Sequence, residues 1–254
     1  MLTITPLPAF TDNYIWALRA GDRAIVVDPG EAGPVERWLA AERANLVAIL
    51  ITHHHGDHVG GLGELKRTHR VPVFGPVGNH IRGIDKVLSE GDRIAPAPDF
   101  PTFKVLETPG HTLDHIAYYA ENLLFCGDTL FSAGCGRLFE GSSDQLYHSL
   151  SRIAALPATT RIYAAHEYTV ANLYFGRAVL PEDVKLEQAL ANALKIRENA
   201  QSTLPSTVAR EREINVFLRT GESVVRTAAE RHSGKTLDTE VAVFAALRQW
   251  KDRF

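Results

Sequence analysis

Residues 52–58 read Thr-His-His-His-Gly-Asp-His, which puts four of the chain's 11 histidines within six positions. No other segment constrains the fold as tightly. Crowded imidazoles repel one another once protonated and need a shared partner once buried. A divalent cation is such a partner, because neutral imidazole is its commonest side-chain ligand. The apolar run Leu46–Ile51 lies directly upstream. It is short, β-branched and closed by a polar turn, the pattern of a buried strand. The histidines therefore sit at a strand end. In extended chain His53 and His55 point the same way and converge on one ion, while His54 alternates away and is placed outside the ligand set. Gly56 then turns the chain, so that Asp57 and His58 present donors in a second direction. Two adjacent donor sets predict two metals, about 3.5–4 Å apart in a two-metal hydrolytic site.

Further donors follow other predicted strands. His111 comes after Phe103–Thr108, Asp128 after Leu123–Cys126, and His166 after Arg161–Ala164, each in a loop flanked by Gly or Ala. Ala24–Val27 reads as another strand, ending in Asp28-Pro29-Gly30, and Val71–Phe74 as a short one. Ile116–Tyr119 and Leu123–Cys126 are spaced as a hairpin. Helices are predicted over Pro34–Glu42, Leu62–His69 and Ser143–Leu156, the last capped by Ser142 or Ser143. After Tyr168 strand signals cease, and Ala- and Leu-rich charged segments predict several helices. The chain thus divides into an α/β domain over 1–168 and an all-helical domain over 169–254. The last helix, about Asp238–Arg253, carries Val243, Leu247, Trp250 and Phe254 as an apolar stripe, with Arg248 and Lys251 on an adjacent face. Those two cations read either as a solvated helix end favoured by the dipole or as a ligand grip.

Composition excludes other classes. With 22% charged and 45% apolar residues the chain is an ordinary globular protein. No run reaches the roughly 18–20 apolar residues of a membrane span, and the N-terminus lacks a secretory pattern. Two cysteines fit a reducing compartment, so a cytoplasmic protein is expected. A net charge of −3 argues against a general nucleic-acid binder, and no membrane partner is expected. Cys126 reads as a small core residue, and no base is apparent for Cys135 as a nucleophile.

Thr-His-His-His-Gly-Asp-His, Thr108-Pro-Gly-His-Thr, the Gly127-Asp-Thr-Leu-Phe…Gly-Cys-Gly-Arg137 segment and Ala165-His-Glu-Tyr-Thr occur in that order. Together they resemble the metallo-β-lactamase superfamily, and more narrowly the glyoxalase II (hydroxyacylglutathione hydrolase) family. Thr11-Asp-Asn-Tyr14, Pro205-Ser-Thr207 and the Lys251-Asp-x-Phe254 ending extend that likeness along the chain. The resemblance implies an αββα sandwich with a C-terminal helical domain for glutathione recognition. It implies that His53, His55 and His111 hold one metal, that Asp57, His58 and His166 hold the other, and that Asp128 bridges them. Two dications against two carboxylates would leave a positive centre, zinc being expected first and iron or manganese as alternatives. Arg137, Phe139, Tyr168, Arg248 and Lys251 match substrate-binding positions; Phe139 departs from the family's frequent Tyr and cannot donate a hydroxyl hydrogen bond.

The implied reaction hydrolyses the thioester of S-(2-hydroxyacyl)glutathione, with S-D-lactoylglutathione and water giving glutathione and D-lactate, the second step of methylglyoxal detoxification. A hydroxide bridging the metals would attack the carbonyl, with Asp57 and Asp128 as the catalytic carboxylates. Asn13, Tyr14, Asp28 and His115 are placed around the centre in supporting roles. A monomer acting on a small molecule is expected. The principal alternative is an iron-dependent persulfide dioxygenase of the same superfamily, which would use a single iron. A β-lactamase, an RNA-processing nuclease and a non-catalytic metal binder fit less well.

Overall fold

The computed structural model describes residues 2–78 and 80–254. The chain forms two compact units, one made of the residues up to Thr108 with Asp114–Gly127, the other of Pro109–Leu113 with Asp128–Phe254.

The first unit opens with antiparallel strands β1 (Leu2–Ala9), β2 (Asn13–Ala20) and β3 (Arg23–Val27). Neither β1 nor β2 was expected from the sequence, and β1 contains Pro6 and Pro8, residues that ordinarily break strands. They are tolerated because β1 is the edge strand, where a missing N–H leaves no neighbour unpaired. Helix α1 (Ala32–Glu42) leads to β4 (Asn45–Leu50), parallel to β3. It starts two residues earlier than expected, with Pro34 in the first turn, where no intrahelical donor is required. Helices α2 (Gly56–Val59) and α3 (Leu62–His69) lead to β5 (Val73–Pro76) and β6 (Lys86–Leu88), completing a mixed sheet in the order β1-β2-β3-β4-β5-β6. The β3–β4 register shifts between Ala24 and Ile25, which pair with Leu46 and Ala48. This bulge lets Leu46, Ile49 and Ile51 share one core with Val26, Leu39 and Leu65, which strict alternation would not allow. Burying each such side chain contributes about 1.5–3 kcal/mol.

Strands β7 (Arg93–Ile94), β8 (Phe103–Glu107), β9 (Ile116–Ala120) and β10 (Leu123–Gly127) form an antiparallel ladder, including the expected hairpin. The buried Tyr118 hydroxyl on β9 donates to the carbonyls of Ile51 (2.8 Å) and Phe74 (3.3 Å), so this ladder faces the first sheet. Burial drives the Tyr118 phenol well above its ordinary pKa and keeps that donor protonated.

The second unit contains the hairpin β11 (Leu130–Phe131) and β12 (Gly134–Cys135), helix α4 (Ser143–Ala154) and strand β13 (Arg161–Ala164). Ser142 and Gln145 close a reciprocal capping box on α4. Then come α5 (Thr169–Val179), α6 (Val184–Glu198), β14 (Ser206–Thr207), α7 (Val208–Ile214), a 3-10 turn (Val216–Leu218), α8 (Ser223–Ser233) and α9 (Glu240–Lys251). The helical prediction for the tail needs one correction: β14 pairs antiparallel with β13. Two residues carry no periodicity from which a strand could be read. Thr239 caps α9, so the helix is shorter than the expected Asp238–Arg253. Glu211 is fully buried and accepts from Ser132 Oγ (3.0 Å), the Ala133 N–H (2.7 Å), Asn215 Nδ2 (3.1 Å) and the Ser206 hydroxyl, pinning the β11–β12 hairpin to α7. Among the described residues no helix is long and apolar enough to cross a membrane.

Candidate active site

In the first unit the histidine loop leaves the carboxyl end of β4, beside the parallel strand β3, where α/β sheets bind ligands. Asp28, one residue beyond β3, organises it. Its Oδ1 accepts the Thr52 N–H and its Oδ2 accepts the Thr52 hydroxyl, both at 2.7 Å. The Thr52 oxygen lies 3.0 Å from His53 Nδ1, and Asp28 Oδ2 lies 3.1 Å from His58 Nδ1. Because the Thr52 proton points to Asp28, these bonds place the ring protons of His53 and His58 on Nδ1. Both imidazoles therefore present Nε2 as a lone pair, the tautomer that metal ligation needs. The ring of His53 lies 4.8 Å from that of His55 and 4.1 Å from that of His58. Asp57 Oδ2 is 3.4 Å from His58 Nε2 and accepts from Asn13 Nδ2 at 2.8 Å. Three imidazoles and a carboxylate at this spacing suit a cation. Gly30 is required here: a Cβ on it would sit 1.9 Å from the Asp57 carbonyl oxygen.

His54 turns away from this group, and its Nδ1 meets the Asp114 carboxylate at 2.9 Å. His115 is buried with its ring stacked 4.7 Å from that of His53, and its Nδ1 is 2.9 Å from Thr108 Oγ1, which fits a supporting role. Thr52 and Asp114 were not singled out from sequence. A polar residue closing an apolar strand was the available signal for Thr52; Asp114 had none.

In the second unit His111 Nδ1 donates to the Arg137 carbonyl at 2.7 Å, leaving Nε2 as its lone-pair nitrogen 3.4 Å from Asp128 Oδ2. His166 Nε2 lies 3.4 Å from the same oxygen. Two acceptors facing each other at that distance call for a cation, so these residues also fit a metal. The His166 ring stacks on Tyr168 at 4.7 Å, with Phe131 edge-on to both. Gly136 passes directly over Asp128, since a Cβ there would lie 2.0 Å from the Asp128 carbonyl oxygen.

A cavity of about 360 Å³ in this unit is lined by His111, Asp128, Arg137, Phe139, Tyr168, Arg248 and Lys251, so all five candidate substrate contacts share it. Arg248 is only 6% exposed. Its Nη1 donates to the Cys135 carbonyl at 3.0 Å and its guanidinium lies over the Phe217 ring. Lys251 Nζ sits 5.4 and 5.5 Å from the Phe175 and Phe254 rings. Burial, then repulsion from Arg248, hold its pKa below that of an ordinary lysine. Arg248 is therefore not a solvated helix end, whereas Lys251 is half-buried and its Nζ donates to the Ala171 carbonyl at 3.4 Å. Phe139 is 61% exposed and edge-on to His111 at 5.3 Å. Burial pushes the Cys135 thiol up, which disfavours its thiolate form.

Residues 9–166 match the family model of the metallo-β-lactamase superfamily. ETHE1 from Myxococcus xanthus has the same fold, with a TM-score of 0.66 at 23% identity, covering 99% of this chain and 98% of that one. Fold and site together define an enzyme of this superfamily. Residues 167–254 match the model of the hydroxyacylglutathione hydrolase C-terminus. The chain is 52% identical over 255 residues to the hydroxyacylglutathione hydrolase of Alkalilimnicola ehrlichii and 49% identical over 261 residues to that of Pseudomonas putida strain F1, all of each chain being covered. The chain belongs to the hydroxyacylglutathione hydrolase family.

Proposed function

We propose that the chain hydrolyses S-(2-hydroxyacyl)glutathione, S-D-lactoylglutathione above all, to glutathione and the 2-hydroxy acid. The observation that carries this reading is the cavity in which Arg137, Tyr168, Arg248 and Lys251 surround a space beside His111 and Asp128. A cationic pocket next to metal donors suits an anionic thioester. The match of residues 167–254 to the hydroxyacylglutathione hydrolase C-terminus favours this substrate over a persulfide.

Family membership and the donor chemistry of each unit support metal binding, in which His53, His55 and His111 would serve one ion, Asp57, His58 and His166 a second, and Asp128 would contribute its carboxylate. Zinc suits these donors, and iron or manganese is accepted by the same set. Such ions supply an activated water at neutral pH and a Lewis acid for the carbonyl oxygen. The chain's own residues do the rest. Asp28 and the Arg137 carbonyl hold the imidazoles in their ligating tautomer. Asp57, fixed by Asn13, orients the attacking water. Arg137, Arg248 and Lys251 hold the glycine carboxylate of the peptide, and Tyr168 and Phe139 border it. A thiol with pKa about 8.5 leaves readily without a dedicated acid. Turnover is read from the loss of thioester absorbance of S-D-lactoylglutathione, with His58→Ala as control. Absence of turnover by the metal-loaded protein, or one iron with oxygen uptake, would overturn the reading. We further propose a cytoplasmic monomer, which sedimentation and fractionation would check.

A further inference from the structure

We infer that Asp252 is a positioning residue, a fixed carboxylate that ties Arg137 to Arg248 and so prepares the pocket for an anionic ligand. The local physics of α9 opposes an acid at this place. Asp252 is the C-cap, where the exposed carbonyls carry partial negative charge. It also follows Arg248 by four residues, the less favourable order for an ion pair on a helix. The compensation is tertiary. Its Oδ1 accepts from Arg137 Nε at 3.2 Å and from Arg248 Nη2 at 3.1 Å, and its main-chain carbonyl accepts from Arg137 Nη2 at 3.4 Å. Arg248 Nη1 returns to the Cys135 carbonyl, two residues before Arg137. The loop and the helix end are thereby closed into one ring of hydrogen bonds, with Asp252 as its only anion.

Arg137 depends on that anion most. Its side chain is 55% exposed, and without the Asp252 carboxylate it would face the cations Arg248 and Lys251 with only the long Nη2 bond to the Asp252 main-chain carbonyl. A guanidinium on a flexible stem would then be ordered only when the substrate binds, and that cost appears as weaker binding. Asp252 engages Arg137 through Nε, the inner nitrogen of the fork, which fixes the plane of the group.

This inference rests on the proposed glutathione thioester reading, and its test separates the two. The metal-loaded full chain and its Asp252→Asn and Asp252→Glu variants are assayed on S-D-lactoylglutathione and on the same thioester with the glycine carboxylate converted to an amide. Asp252→Asn is expected to raise KM for the acid about tenfold, with kcat within twofold, and to leave kcat/KM for the amide unchanged. Asp252→Glu should recover part of the loss. Combined with Arg137→Gln, Asp252→Asn should cost less than the sum of the two single effects, because the part that acts through Arg137 is already lost. Equal losses on acid and amide, a fall in KM, a loss confined to kcat, or additive effects would each overturn the inference. If the unmodified protein binds acid and amide equally well, the carboxylate-grip reading itself fails before any variant is considered.

Discussion

The histidine loop of the first unit and the pocket of the second orient their polar groups by opposite means. In the loop a buried anion stands behind the functional groups: Asp28 takes the Nδ1 face of His58 and, through Thr52, that of His53, so lone pairs face outward. In the pocket an anion at a helix end and main-chain carbonyls stand behind the guanidinium groups of Arg137 and Arg248 and hold them in the pocket wall. One arrangement readies acceptors for a cation and the other readies donors for an anion. The difference shows that a net charge of only −3 conceals local sites of opposite electrostatic character.

The sharpest way to break the comparison is to remove a donor from the loop. His58→Ala is expected to lower kcat by about three orders of magnitude or more and to reduce bound metal by about one ion per chain, read by elemental analysis. A preserved metal content would remove His58 from the donor set. Next in size, Asp28→Ala should weaken metal affinity about 10–100-fold in chelator competition, because the imidazoles lose the group that fixes their tautomer. An unchanged affinity would reduce Asp28 to a turn residue.

The pocket should answer differently. Lys251→Ala is expected to raise KM about tenfold with little change in kcat, since a remote charge is bound alike in ground and transition states. The pH profile tests the same group. Only the protonated ammonium binds a carboxylate, and burial beside Arg248 holds its pKa below the ordinary value. KM should therefore begin to rise on the alkaline side at a lower pH than an exposed lysine would produce, and Lys251→Arg should abolish that rise. The smallest effect concerns Phe139, which is mostly exposed and lacks a hydroxyl. Phe139→Tyr is expected to lower KM by no more than about threefold, the scale of one solvent-exposed hydrogen bond.

Legibility followed distance along the chain. The candidate donors His53, His55, Asp57 and His58 lie within six residues at a strand end, and period-two alternation sets His54 apart from them, its Nδ1 meeting the Asp114 carboxylate. The strands that present them, β3 and β4, were visible as β-branched runs. Strands β1, with its two prolines, and β2 were not expected, and β14 was too short to have a period. The supporting groups were legible only in part: Asp28 could be placed near the site, but nothing in Asp-Pro-Gly says that its carboxylate serves two histidines.

The amino-acid sequence by itself determined the chemistry available, an excess of neutral nitrogen and carboxylate donors at strand ends, and the helical character of the tail. These depend on local spacing and on periodicity. Only the tertiary structure decided which nitrogen each imidazole offers, that Arg248 is buried rather than solvated, and that Asp252 serves two arginines. Those properties arise from hydrogen bonds between residues as far apart as Arg137 and Asp252, and a chain carries no local record of its distant partners.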